Sequence, residues 1–265
     1  MLYLSVLLIK VILYITNMSL PIFVINMKSS AERWQKTHSR LQNLGLECVR
    51  FDATVGKSLS EAEISTWYDV DANLRKHHRN MTPGEIGCYI SHMRVWQHMD
   101  DKNIPAAIIL EDDLIIEDHL SETIDQLSML TNWDMIKLSD NRANPFIDSF
   151  TLTKQLVLGN YLKVPNGTQG YAVSLPGAQK LLQRKPFFRP VDVDIQFHSE
   201  VDLRLIGIKP YPISEDLSFD SEIVNTNVGR HSNKSTFLRN AKHRIAMYLQ
   251  RKKISGDLTT VIKPQ

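Results

Sequence analysis

Three consecutive carboxylates, Glu111-Asp112-Asp113, follow directly on the apolar run Ala106-Ala107-Ile108-Ile109-Leu110. A continuous run of this kind reads as a central strand buried on both faces. The acids then fall at its carboxyl end, where open α/β sheets bind their ligands. Adjacent carboxylates repel one another unless a cation neutralises them. Their hard oxygens suit Mg²⁺ or Mn²⁺, ions that commonly bridge the phosphates of a substrate. The competing reading is an acidic turn that caps the following helix.

A second group lies just upstream. Thr82-Pro83-Gly84-Glu85 offers an N-cap, a proline at the first helical position and a glutamate to complete a capping box. This predicts a helix over residues 83–101. Glu85, Cys88, His92, Val95 and Met99 recur along it at helical spacing, so Glu85 and His92 share a face with Ser91 beside it. Gly84 and Gly87 leave the first turn open to a ligand, and a helix N-terminus favours an anion such as a diphosphate. A Glu and a His on one face also serve simply to hold a scaffold together.

These groups need a frame, and the hydrophobic pattern supplies one. Residues 21–26 are a short β-branched run, hence a strand. Ser29 or Ser30 caps a helix with Trp34, Leu41 and Leu44 inward and Gly45 as its stop, and residues 48–51 form a second strand. After a polar, less regular stretch over 52–80 come the 83–101 helix and the 106–110 strand. A helix over 120–130 and a strand over 135–138 follow. Beyond a loop-rich middle, a strand is expected over 170–174, helices over 176–183 and 191–205, and a last strand near 209–213. The alternation predicts an α/β fold, a Rossmann-like, mostly parallel sheet flanked by helices, in one domain over 18–228.

The 265 residues contain two cysteines, Cys48 and Cys88, which argues against a disulfide framework and for a reduced, cytosolic setting. The net charge of +2 is unevenly spread: residues 229–265 carry nine Lys/Arg against one acid, Asp257, leaving 1–228 net acidic. Such a basic tail suits an anionic membrane surface, or else a solvated terminus. Residues 1–17 are almost wholly apolar, too short to cross a bilayer as a helix, and read as a short anchor or a dispensable leader before a domain starting at Met18.

The segment Met81-Thr82-Pro83-Gly84-Glu85-Ile86-Gly87-Cys88-Tyr89-Ile90-Ser91-His92, followed by Ala107-Ile108-Ile109-Leu110-Glu111-Asp112-Asp113, resembles glycosyltransferase family 25. That family includes bacterial lipooligosaccharide galactosyltransferases and animal collagen galactosyltransferases. Further matches run in order through Phe23-Val24-Ile25-Asn26, Asp134-Met135-Ile136-Lys137-Leu138, Gly167 with Gly170-Tyr171-Ala172-Val173-Ser174, Gly177-Ala178-Gln179-Lys180-Leu181-Leu182 and Pro190-Val191-Asp192.

The resemblance implies a GT-A fold, a UDP-sugar donor (most often UDP-galactose) and Mn²⁺ or Mg²⁺. Asp113 is expected to ligate the metal, with Asp112 or Glu111 completing the site or holding the ribose. Gly84, Glu85, Gly87, Ser91 and His92 are expected around the donor. Asp192 and Asp194 are candidates for the base that deprotonates the acceptor, or for a clamp on donor or acceptor; Asp192, which matches the family pattern, also reads as a helix cap. Gly167, Gly170 and Tyr171 are expected to shape the acceptor or sugar subsite, with a structural use of that strand as the alternative.

The short chain with few cysteines favours the bacterial branch and a glycolipid or oligosaccharide acceptor. The protein would sit in the cytoplasm against the inner face of the membrane, with no nucleic acid among its partners. Two other readings compete: an inactive nucleotide-sugar-binding or partner protein of the same fold, and a hydroxylysine galactosyltransferase.

Overall fold

The first strand, β1 (Ile22–Asn26), shows why the protein is layered. Phe23 and Ile25 pack into one apolar cluster while Ile22 and Val24 pack into another, so successive side chains feed cores on opposite faces of the sheet. The computed structural model describes residues 20–216, 218, 236–250, 253 and 256–261. The apolar segment 1–17 and the start of the domain at Met18 lie outside them.

From β1 the chain forms α1 (Ala31–Asn43) and returns in β2 (Cys48–Asp52), parallel to β1. The 52–80 stretch holds two short helices, α2 (Glu61–Ser65) and α3 (Val70–Lys76). Helix α4 (Pro83–Asp101) begins at the capping box, with Thr82 and Glu85 exchanging hydrogen bonds across the first turn. Strand β3 (Ala106–Leu110) then enters beside β1, followed by β4 (Leu114–Ile116), α5 (Leu120–Met129) and β5 (Met135–Lys137). Strands β6 (Phe146–Thr151) and β7 (Val157–Tyr161) precede β8 (Gly170–Ser174) and α6 (Leu175–Leu182). The order ends with α7 (Val191–Gln196), β9 (Leu205–Lys209), β10 (Ile213–Glu215) and α8 (Thr236–Gln250).

The eight-stranded sheet has the order β2-β1-β3-β8-β5-β9-β7-β6. Strands β8 and β7 run against the other six, so the sheet is mostly parallel in direction. One face is covered by α4, whose Tyr89, Met93 and Trp96 are buried there; the other is covered by Leu41 of α1 and Leu120, Ile124 and Leu127 of α5. Each such side chain contributes roughly 1.5–3 kcal/mol by leaving water. The fold is the α/β, Rossmann-like arrangement expected of a GT-A protein. Cys48 and Cys88 are both free. Among the described residues no helix is long and apolar enough to cross a membrane.

Three local expectations are corrected. The helix expected over 191–205 stops at Gln196; a 3-10 turn, His198–Val201, follows, and Asp202 takes a left-handed conformation (φ 50°) that ends it. Leu205, Ile206 and Ile208 are then buried as strand residues between β5 and β7. The last strand does not run over 209–213, because Pro210 and Pro212 have no N–H to give a ladder. Ile213–Glu215 instead pairs antiparallel with β4. The loop-rich middle contains the β6–β7 hairpin on the sheet edge, whose first strand is largely exposed and so lacks a strong alternation.

Candidate functional site

At the end of β3 the three acids part company. The Glu111 N–H donates to Gln169 O (2.9 Å), while its carboxylate accepts from Thr168 Oγ1 and lies 3.7 Å from His92 Nε2. Asp112 accepts from the Asn26 side-chain amide at the end of β1, and its backbone carbonyl accepts from Thr37 of α1 (2.9 Å). Arg33 Nη1 stands 3.5 Å from Asp112 and 3.7 Å from Asp113. Asp113 Oδ1 is buried and has no hydrogen-bond partner among the described residues.

The charges follow from this packing. Burial, followed by the fields of Glu111 and Asp112, pushes the Asp113 carboxyl up to about 7, against a weaker opposing pull from Arg33. Burial also acts to raise Glu111, but His92, Thr168 and Lys137 together outweigh it and hold this carboxyl below its ordinary range. An orphaned, buried oxygen on a carboxylate next to two others fits a hard divalent cation.

His92 is oriented from behind. Trp96 Nε1, a donor only, gives its hydrogen to Tyr171 OH (3.0 Å), and Tyr171 OH lies 2.8 Å from His92 Nδ1. With its oxygen already accepting, the buried Tyr171 hydroxyl is best satisfied by donating to Nδ1. That assignment leaves the His92 proton on Nε2, facing Glu111.

A cleft of about 410 Å³ opens over the acids, walled by Arg33, Lys57, Gly84, His92, Gln169 and Glu215 among others. A larger cavity of about 1420 Å³ lies at the opposite end of the sheet, by Pro21, Pro105 and Trp133, where β1 and β3 begin. Ligands of open α/β sheets bind at the carboxyl ends of the strands. The smaller cleft, which carries the acids, is therefore the candidate site.

Residues 19–196, well over half of the chain and all of this cleft up to Gln169, match the family described as Glycosyltransferase family 25 (LPS biosynthesis protein). The chain belongs to glycosyltransferase family 25. It is 33% identical over 184 residues to a Drosophila melanogaster protein named Glycosyltransferase 25 family member, and 31% identical over 184 residues to one from Aedes aegypti. It is 30% identical over 185 residues to Procollagen galactosyltransferase 2 of Mus musculus. Each alignment covers 65% of this chain and 29% of the relative, so the chain spans less than a third of the length of these relatives.

Within this family 25 frame the expected site residues fall into two groups. Gly84, Ser91, His92, Glu111, Asp112 and Asp113 all border the cleft. Glu85 does not: it closes the capping box and takes Arg79 in a two-pronged ion pair. Gly87 is not open to a ligand, because a Cβ there would sit 2.5 Å from Thr54 O and 2.6 Å from Gly56 N. Its missing side chain lets the Gly56 turn lie against α4, and Ser91 ties the same contact by accepting from Thr54 N (2.8 Å). Cys88 borders the cleft as a thiol, since burial and then the charges of Glu111 and Asp192 push it well above its ordinary range.

Tyr171 is 0% exposed, which removes its ring as a stacking surface for a sugar. Gly170 packs against Ile213 (3.1 Å from an added Cβ), and Gly167 (φ 84°) offers its carbonyl to Lys137 Nζ. Asp192 does not itself line the cleft but lies within electrostatic reach of Glu111 and Cys88, which do; burial raises its carboxyl, Glu85 and Glu111 add to the rise, and the Val193 N–H and Lys137 oppose it. Asp194 is 4% exposed and spoken for by Arg189 Nε and the Tyr89 hydroxyl, with Arg184 at 3.6 Å. That makes it a buried anchor for α7 rather than a base.

Several participants escaped the sequence reading. Lys137 is completely buried at the end of β5, and burial lowers its ammonium to about 8 against the pull of Asp192, Glu111 and Asp140. A lysine closing an apolar strand is the signal that could have found it. Arg33, Asn26 and Thr168 look like ordinary helix, strand and loop residues; only the folding of β1 and β8 on either side of β3 brings them to the acids. Glu215 reaches the cleft through the β10–β4 pairing.

Proposed function

We propose that this chain is a metal-dependent glycosyltransferase that moves galactose from UDP-galactose to a lipooligosaccharide or lipopolysaccharide glycan. The observation that carries this reading is the acid turn at the end of β3, with the unpartnered Asp113 oxygen beneath a cleft walled by the first turn of α4. Asp113 and Asp112 would hold Mn²⁺ or Mg²⁺. When bound, the cation supplies Lewis-acid neutralisation of charge on the departing diphosphate. Arg33 adds a fixed positive charge on the same side. The open first turn at Gly84 accommodates the donor phosphates at the helix N-terminus.

Asp192 takes the proton from the acceptor hydroxyl as it attacks the anomeric carbon, and the bond from that carbon to the UDP oxygen breaks. Its raised affinity for a proton suits that task, and Lys137 opposes the rise. Galactose is favoured by the names of the vertebrate relatives, and the glycan acceptor by the description of the family. The protein acts at the cytoplasmic membrane surface, where α8 shows Ile245, Tyr248 and Leu249 to solvent beside Lys242 and Arg244.

A donor screen tests the proposal. The full chain is incubated with UDP-galactose, UDP-glucose and their N-acetylated counterparts, with Mn²⁺ or EDTA, against a truncated lipooligosaccharide and a hydroxylysine peptide. Mn²⁺-dependent UDP release with UDP-galactose and the glycan supports it. Transfer to the peptide alone would move the acceptor to protein. UDP binding without turnover on either would make the chain a nucleotide-sugar-binding protein.

A further inference from the structure

Away from the cleft, α8 meets the body of the protein through three histidines. Helix α3 ends at His77, where the backbone turns extended (φ −113°, ψ 155°). Arg239 of α8 donates from Nε to His77 O (2.8 Å) and from Nη2 to Asn73 O (3.2 Å). It thereby satisfies carbonyls that the end of a helix leaves open. One turn further along α8, His243 shares the face of Arg239. Its ring centroid lies 5.1 Å from that of His77 and 4.7 Å from that of His78, and His77 and His78 are 4.2 Å apart.

We propose that His77, His78 and His243 bind one transition-metal ion of the zinc class, which pins α8 to the end of α3. One donor nitrogen from each ring lies within 4.8 Å of the other two. Tetrahedral zinc with bonds of about 2.0–2.1 Å needs donors about 3.3 Å apart, a closure that small ring rotations supply. The independent observation is polar dissatisfaction. His77 is 1% exposed, yet among the described residues neither of its ring nitrogens has a hydrogen-bond partner, and Nδ1 of His78 is likewise buried and unpartnered there. A neutral imidazole has one donor and one acceptor nitrogen, and burying either one unmet is costly. A metal ion takes up the lone pair that the protein leaves idle.

The donor set also selects the ion. Imidazoles suit Zn²⁺, Cu²⁺ or Ni²⁺, whereas the oxygens of the acid turn suit Mn²⁺ or Mg²⁺, so the two sites hold different metals. Burial, then the neighbouring rings and arginines, holds His77 down at about 2 and His78 at about 4, so protons do not compete for the ligands at neutral pH. Arg79, Arg189 and Arg239 face the group and oppose a cation, while Glu85 is the acid whose field favours one. Their balance sets the affinity below that of an all-thiolate zinc site. Three protein ligands leave a fourth position for water.

The test uses metal-free full-length protein titrated with Zn²⁺ against a chromophoric chelator, and with Co²⁺ followed by its visible absorption. The wild type should take up one equivalent. His243→Ala, on a partly buried helical position, should weaken binding at least 10-fold, and His78→Gln should do the same. Cys88→Ser, which alters the Cys88-His92-Glu111 group in the cleft, should leave binding unchanged. Zn²⁺ should also slow tryptic cleavage at Arg239, Lys242 and Arg244 several-fold in the wild type and not in His243→Ala. Wild-type affinity in His243→Ala, loss of the equivalent in Cys88→Ser, or no stoichiometric uptake by the wild type would each overturn the assignment. None of these readouts depends on transferase activity.

Discussion

Replacing Asp194 should unfold the protein before it slows it. The carboxylate is 4% exposed and accepts from Arg189 Nε and from the buried Tyr89 hydroxyl. Removing one partner of a buried pair costs about 3–5 kcal/mol, and an orphaned hydroxyl adds about 1–3 kcal/mol. The two are not additive, and Arg189 keeps Glu200, whose side chain is 42% exposed, as a second anion. Asp194→Ala should therefore lose about 4 kcal/mol and Asp194→Asn, which still accepts from Tyr89, about 2 kcal/mol. In a chain of this size these translate to melting points lower by about 8–16 °C and about 4–8 °C. Circular-dichroism melts would be paired with UDP-release rates per folded molecule at a temperature where each variant is native. Asp192→Asn is the contrast: no ion pair among the described residues holds it, and loss of a general base removes about 10²–10⁴-fold in rate. It should slow turnover by that order with a melting point within a few degrees of wild type. An Asp194→Asn protein that melted normally yet lost turnover would reverse the two roles.

The acid turn gives a pH signature. The folded Asp113 carboxyl titrates near 7 rather than 3.8, so the native state binds the extra proton. Its contribution to stability is complete below pH 4 and drains away as pH rises to 7, by at most about 4 kcal/mol. Asp113→Asn should flatten the pH dependence of metal-free urea melts in that window, and also lose the stabilisation that Mn²⁺ gives the wild type; an unchanged pH profile would show that the turn does not strain its acids. Tyr171→Phe removes the hydroxyl between Trp96 and His92, and should cost about 1–3 kcal/mol in stability while freeing the His92 tautomer, visible in its ring ¹⁵N shifts. Gly87→Ala places a methyl 2.5 Å from Thr54 O and should cost at least about 1–3 kcal/mol through overpacking, read as a lowered urea midpoint. Replacing the exposed Lys242 and Arg244 of α8 by Gln should weaken salt-sensitive binding to anionic vesicles while sparing transfer to a small soluble acceptor; equal vesicle binding would remove α8 from the membrane reading.

What could be read from the sequence was what short stretches decide for themselves. The start of α4 is settled within four residues, Thr82 to Glu85, and the structure has the same cap. The buried strand β3 and its acid end were equally plain, because five apolar residues followed by three carboxylates carry both meanings at once. Failures came where partners are distant. Asp192 and Asp194 look alike in the chain, and only the approach of Arg189 and Tyr89 tells them apart. Gly87 read as ligand-facing because Gly56, 31 positions away, is invisible to a local pattern. Tyr171 looked like a sugar platform until β3 and β5 closed on both sides of β8 and buried it.

The acid turn is held from four directions, and this bears on how it meets a cation. Asn26 grips Asp112 from β1, Thr37 holds the Asp112 carbonyl from α1, Gln169 takes the Glu111 N–H from the approach to β8, and Asp216 N donates to the Asp113 carbonyl after β10. Two of these hold backbone carbonyls and one an N–H, so the turn keeps its course whether or not its charges are balanced. Relaxation by swinging the acids apart is thus restricted, and the repulsion remains as the raised proton affinity of Asp113. A site that stores repulsion in fixed backbone gains more from a bound cation than one that could relax without it, because no reorganisation is needed on binding. The same reasoning separates Glu111 from its neighbours. With His92 and Thr168 already serving its carboxylate, Glu111 has least to gain from a metal, and the ion should belong chiefly to Asp113 and Asp112. Glu111→Gln should then weaken Mn²⁺ binding much less than Asp113→Asn does, a ranking that metal titration of the two variants decides.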